Sequence, residues 1–202
     1  MSGRTAVSIL DKVTGQYVPA ELIDGVSAAE VDAAESLWRP VLDREIARMT
    51  KEGVPEHRLP QHKDWNWREK HEHSDGLLIY QMLGVEHAGQ MQGLMWIQTA
   101  NAFCRLPNQK DKGMVSVLFL ATAPWNSRLV VPNILYGQVG TVLIAAAINI
   151  SSDLGFKGRI GLYSLDQSVD WYAKNMTDCG IDTKKYLRYF EMSPEQAERF
   201  VS

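Results

Sequence analysis

The segment from Met114 to Ser164 constrains the fold most. It opens with a nearly unbroken apolar run, Met114-Val-Ser-Val-Leu-Phe-Leu-Ala-Thr-Ala123. Such a run reads as a strand covered on both faces, and so a central one. Leu135-Tyr-Gly-Gln-Val-Gly-Thr141 follows, with two glycines and no charge, and leads into an alanine-rich aliphatic stretch. That pattern predicts a helix from about Tyr136 to Leu154, stopped by Gly155 and Gly158. Arg159–Ser164 then reads as another strand. A strand, a helix and a strand in one run form a crossover unit, so the two strands are expected to be parallel neighbours.

The flanking sequence fits around this unit. Thr5–Leu10 and Tyr17–Ile23 read as strands joined by a turn at Val13-Thr-Gly-Gln16. Ser27-Ala-Ala-Glu30 is a capping box, and Val31, Ala34, Trp38, Leu42 and Ile46 follow at helical spacing. Pro40 predicts a kink or a split in that helix, and Gly53 and Pro55 end it. Asp64 is expected to cap a short helix running through His73. Gly76–Leu83 and Gln90–Thr99 read as strands connected through Gly84–Gly89. Asp166 is expected to cap a helix to about Asn175. Tyr186–Met192 is a last strand, and Ser193-Pro-Glu-Gln196 opens a terminal helix. The whole is a mixed α+β layered fold in one domain. Within it, 1–75 supplies N-terminal strands, a helix and an acceptor-side segment, 76–192 the core, and 193–202 the terminal helix.

Charge and composition narrow the function. A formal net charge of −3 gives no basic field, so no nucleic-acid partner is expected. The two cysteines lie far apart in sequence, in neither a disulfide framework nor a metal-type pair. They point to a reducing, cytoplasmic setting. The longest apolar stretch, Val142–Ile150, is about half a membrane span, so no membrane segment is expected. Four of the five histidines crowd the polar segment 54–75, but a zinc site there needs a convergence that spacing does not supply.

Val139-Gly140-Thr141 suggests chemistry. The start of a helix offers free N–H groups and about half a positive charge, and glycines let a ligand approach the backbone. That is an anion site without a basic side chain, although similar turns also serve as plain connectors. Pro124 closes the preceding strand and removes a ladder donor, which is expected to splay it. Tyr172 falls on the helix after the neighbouring strand. On pattern alone it reads as a core aromatic.

The order of elements and three motifs are similar to the GCN5-related N-acetyltransferases. Val139-Gly-Thr-Val-Leu-Ile144 matches the end of that family's phosphate loop, Gly161-Leu-Tyr-Ser164 its fifth strand, and Trp171-Tyr172 its aromatic pair. Ala123-Pro-Trp-Asn126 and Tyr189-Phe-Glu-Met192 resemble an uncharacterised bacterial subgroup. The likeness covers about 76–192. The loop's leading Arg/Gln position holds Leu135 and its first glycine position holds Gln138, for which Gln138 itself or Arg128 would have to compensate.

The resemblance implies an acyltransferase that moves an acetyl group from acetyl-CoA to a primary amine, on a small molecule or a protein. It implies that Leu120, Ala121 and Thr122 hold pantetheine, that Gly137, Gln138, Val139, Gly140 and Thr141 hold pyrophosphate, and that Asn126 reaches the cofactor. It makes Tyr172 the general acid for the leaving thiolate. Glu72 and His73 are the base candidates, and Trp65, Trp67 and Ser164 the acceptor-side candidates. The two tryptophans fit equally with clamping the first helix onto the sheet. No metal is implied. A homodimer is, with Tyr186–Val201 as a candidate interface. The alternative is a non-catalytic relative, a CoA-binding sensor or an interaction module.

Overall fold

The computed structural model describes residues 3–202. The strands are β1 (Gly3–Asp11), β2 (Tyr17–Asp24), β3 (Tyr80–His87), β4 (Gln90–Gln98), β5 (Val115–Thr122), β6 (Tyr136–Gly137), β7 (Ile160–Ser164), β8 (Thr177–Asp182) and β9 (Leu187–Met192). The helices are α1 (Ala28–Lys51), α2 (Trp67–Ser74), α3 (Val139–Asp153), α4 (Val169–Asn175) and α5 (Pro194–Val201). The strands are ordered β6-β1-β2-β3-β4-β5-β7-β9-β8 in a mostly antiparallel sheet. One pair is parallel, β5 with β7, as the crossover requires. The mixed α+β class is therefore the observed one.

The chain divides into two compact units. The first comprises residues up to 77, 82–95 and 120–143; the second comprises 78–81, 96–119 and 144–202.

In the first unit, Ser27 and Glu30 form both halves of the predicted capping box at the start of α1. Pro40 neither splits nor ends this helix. Its buried stripe, Val31, Ala34, Glu35, Trp38 and Leu42, runs along both sides of the proline. Packing along that stripe outweighs one missing ladder bond. Asn66, not Asp64, caps α2, accepting from the amides of Arg68 and Glu69. The β3 strand lies later than expected. Gly84 is inside it, where a Cβ would come within 2.6 Å of Met91 Sδ, and the turn is Ala88-Gly89, both at positive φ. Tyr136 and Gly137 belong not to α3 but to β6, which pairs with Leu10 and Asp11 of β1.

In the second unit, β9 lies antiparallel to both β7 and β8. The β8 strand was not expected, because Thr-Asp-Cys-Gly-Ile-Asp carries little β pattern. The Tyr189–Met192 motif organises this unit. The buried Glu191 carboxylate accepts from the amides of Arg105 and Leu106 and from Gln109 Nε2, which fixes the loop before β5. Tyr189 lies 4.2 Å under the Arg105 guanidinium. Gly161 makes room for it, since a Cβ there would stand 2.5 Å from the Tyr189 hydroxyl. Asp166–Ser168 forms a 3-10 turn ahead of α4 rather than its first turn. The capping box at Ser193 opens α5 as expected.

Candidate active site

The registered pairing of β5 with β7 runs over Val115, Val117 and the residue between them, opposite Ile160–Leu162. It goes no further toward Thr122. Leu120 and Thr122 are half-buried and Ala121 is buried.

Beyond β5, Ala123–Asn126 is held by one residue of β4, Gln92, which is almost wholly buried. Its carbonyl accepts from the Ala123 amide at 2.8 Å. Its side-chain oxygen accepts from Trp125 Nε1 at 2.9 Å and from Asn126 Nδ2 at 3.0 Å. Asn126 Oδ1 in turn accepts from the Tyr136 amide at 2.9 Å. Asn126 was expected to reach a ligand. Its carboxamide instead ties the turn after β5 to the segment before α3, because a buried amide must spend its donors and acceptors on the protein.

The start of α3 is close to the end of β5 through small residues. A Cβ on Gly93 of β4 would stand 2.6 Å from Val139 Cγ1, 3.1 Å from Leu143 Cδ1 and 3.4 Å from the Ala121 carbonyl. That glycine lets the helix lie close to the strands. Gln138 precedes the helix at φ +66°, left-handed backbone. Its side chain donates to the Tyr17 hydroxyl at 2.8 Å. Val139, Gly140 and Thr141 form the first turn, whose amides have no partner within the helix. Gly140 faces open space, with only Leu120 Cδ2 within 4 Å of a would-be Cβ. Gly137 lies in β6, paired with Leu10.

The remaining candidates separate. Tyr172 is on α4, between Trp171 (ring centroids 5.1 Å apart) and Phe190 (5.9 Å). Burial alone pushes its hydroxyl up to about 12. Ser164 is buried, and its Oγ donates to the Leu165 carbonyl. Glu72 and His73 are exposed on α2, while Trp67, at the start of the same helix, is buried. His73 Nδ1 lies 2.6 Å from the Glu69 carbonyl. His71 Nε2 lies 3.1 Å from the Val26 carbonyl. The base positions expected on α2 thus face solvent or backbone.

A cavity of the first unit gathers what the sequence did not single out. Its lining includes Glu35, Trp38 and Arg39 of α1, His62, Trp65 and Trp67, and Ala121, Thr122 and Pro124 at the end of β5. Trp67 is buried beside α1, and both indoles line the cavity. Glu35, itself buried, accepts from the Trp67 amide. Arg39 donates to the carbonyls of Lys63 (2.7 Å) and Trp65. His62 meets the edge of Trp65 at 5.9 Å. Burial and, next, the Arg39 charge hold its imidazole below the ordinary histidine value. In sequence His62 looked like one surface histidine among several. The one available signal was the nearby pair of tryptophans.

No family model matches the sequence, and no curated protein does. Solved structures do match the fold. An N-acetyltransferase (PaiA) from Thermoplasma acidophilum, in complex with coenzyme A, aligns over 87% of this chain and 99% of its own at 15% identity and a TM-score of 0.50. A protein described as a GNAT-family acetyltransferase from Desulfovibrio desulfuricans aligns over 87% and 99% at 12% identity and 0.51. An uncharacterized protein from Bacillus halodurans aligns over 98% and 94% at 9% identity and 0.55. With its single parallel pair and the helix that crosses between its strands, the chain has the fold of the GCN5-related N-acetyltransferases.

Proposed function

We propose that this protein transfers the acetyl group of acetyl-CoA to a primary amine. The observation that carries this reading is the start of α3. A left-handed Gln138, an uncrowded Gly140 and three first-turn amides without intrahelical partners lie beside Leu120 of β5. Such a terminus suits a pyrophosphate, because its amides and the helix dipole both favour negative charge. The residues present fit the donor. The amides of Val139, Gly140 and Thr141 hold pyrophosphate, and the β5 edge from Leu120 to Thr122 hydrogen-bonds the amides of pantetheine. Gly137 and Gln138 shape the approach, since the Gln138 side chain is engaged with Tyr17. Acetyl-CoA supplies the activated acyl carbon. Tyr172, held protonated by burial, gives a proton to the departing sulfur.

The test is thermal unfolding of the purified protein over a range of acetyl-CoA concentrations. A ligand that binds only the folded state at 100 times its Kd adds about 2.7 kcal/mol. The expected result is a midpoint that rises with ligand concentration, together with thiol release when an amine is added. A midpoint unmoved up to millimolar acetyl-CoA overturns the reading.

A further inference from the structure

We infer that the cavity walled by Trp38, Trp65 and Trp67 takes a slender aliphatic primary amine, unbranched and uncharged next to the nitrogen, and that His62 receives its proton. The inference rests on the acetyl-transfer reading and adds to it the acceptor's class and the base.

Size comes first. The cavity leaves about 20 Å³ for the centre of a water-sized sphere. That is room for about one water, or for one amine nitrogen with the start of its chain. So little room favours a single unbranched chain over a branch or a ring next to the nitrogen.

The walls come next. Three indoles, Leu42, Ala121 and Pro124 make the lining mostly apolar, which suits a methylene chain. Indole faces also attract an ammonium. Trp38 spends its N–H on the Met91 carbonyl at 3.0 Å, which leaves its ring as a hydrocarbon wall.

Charge sets the rest. The cavity's ionisable lining is Glu35 and Arg39 from α1 and His62 from the loop before α2; β5 brings none. From α2, Lys70 stands 5.4 Å over the Trp65 ring. Arg39 is engaged by two backbone carbonyls and stands 3.8 Å from Glu35. Its guanidinium is held in place, so it is not free to turn toward a substrate carboxylate. Glu35 uses one oxygen on the Trp67 amide, and the other is left with the distant Arg39 contact. That oxygen attracts an ammonium and repels an amino acid's carboxylate.

His62 is the remaining ionisable group. Among the described residues, none hydrogen-bonds either of its ring nitrogens. The ring shares the cavity with Thr122, at the strand end assigned above to pantetheine. In the reaction the bound ammonium first gives one proton to water; the lone pair so freed forms a C–N bond to the acetyl carbon, and the C–S bond breaks. The nitrogen's proton becomes far more acidic as the C–N bond forms, so a neutral imidazole can accept it. The sulfur leaves with the electron pair and is protonated.

The experiment titrates the wild-type protein with n-butylamine, tert-butylamine and norleucine, following tryptophan fluorescence, and then measures thiol release from acetyl-CoA with each. The expected result is saturable quenching and turnover with n-butylamine and neither with the other two. His62→Gln should keep the amine quench and the acetyl-CoA thermal shift, lose roughly 100-fold or more in kcat/KM, and lose the acidic limb of the pH profile, which should lie below pH 6.5 in the wild type. His62→Asn repeats the test should the glutamine variant unfold. Equal use of tert-butylamine or norleucine overturns the substrate class. A variant with unchanged rate and acidic limb overturns the base. Amine binding without any acetyl-CoA binding sinks the transfer reading, and the role of His62 with it, while the amine site stands. Acetyl-CoA binding without amine quenching sinks the amine site alone.

Discussion

Tyr172 shows how an environment suits a side chain to the role proposed for it. Its ring sits between Trp171 and Phe190, and burial alone raises its hydroxyl to about 12. It therefore remains a donor throughout the working pH range. In Tyr172→Phe the thiol-release rate should fall by roughly 100-fold, while the acetyl-CoA thermal shift stays the same. Equal rates in both proteins would remove the role. The raised value also acts on stability. Above the ordinary tyrosine pKa of 10 the unfolded chain loses this proton while the folded chain keeps it, so stability falls as pH rises from 10 toward 12. The phenylalanine variant should resist alkali better, measured as the unfolding midpoint between those pH values. Little of this was visible in sequence, where Tyr172 reads equally as a core aromatic. His62 was less visible still, because polar neighbours in sequence disguise a side chain that meets Trp65 of its own loop and shares a cavity with Arg39 of α1.

At the scale of elements, the approach of α3 to the strands depends on glycines with different duties. Gly93 is a packing glycine: a methyl there would meet Val139, Leu143 and a strand carbonyl. Gly93→Ala should lower stability by roughly 1–3 kcal/mol, read from chemical denaturation, and weaken acetyl-CoA binding by shifting the helix. Gly140 has room, so Gly140→Ala should melt like the wild type. Gly140→Glu should also fold, since a carboxylate in the first turn favours a helix, but it should abolish the acetyl-CoA thermal shift. A retained shift would refute the anion site. The elements themselves were largely legible. Both capping boxes and the parallel pair follow from local pattern. Pro40 and Gly84 misled for one reason. A breaker residue is read from its own preferences, while α1 and β3 are held by what packs against them. The β8 strand was missed because its partner, β9, supplies the order that its own residues lack.

For the molecule as a whole, acid should weaken the second unit through one carboxylate. Asp182 accepts from the Tyr163 hydroxyl at 2.7 Å and from Arg105 at 2.8 Å. Those bonds, with the amides of Lys184 and Lys185, hold its carboxyl well below the usual range. A depressed carboxylate contributes stability above its unfolded value of 3.8, and that contribution is lost as pH falls toward the folded value. Asp182→Asn should therefore be less stable than the wild type at neutral pH, and the gap should narrow progressively as pH falls below 4. A constant gap between the two stability curves across that range would refute the linkage. No helix among the described residues is long and apolar enough to cross a membrane.

The terminal strands of the sheet bear on how the protein behaves when concentrated. A bare strand edge is a template for further chains, and proteins blunt such edges with bulges, charges and short covers. The β8 strand shifts register between Asp178 and Ile181, with Gly180 at φ +86° inside the irregularity. At the other end β6 covers Leu10 and Asp11 of β1, and Arg4 bonds to Glu21, Glu30 and Glu86 around the strand's start. Strand addition at the β8 end is hindered by that irregularity, while β6 pairs with only the last two residues of β1, so a further chain should add more readily along β1 than along β8.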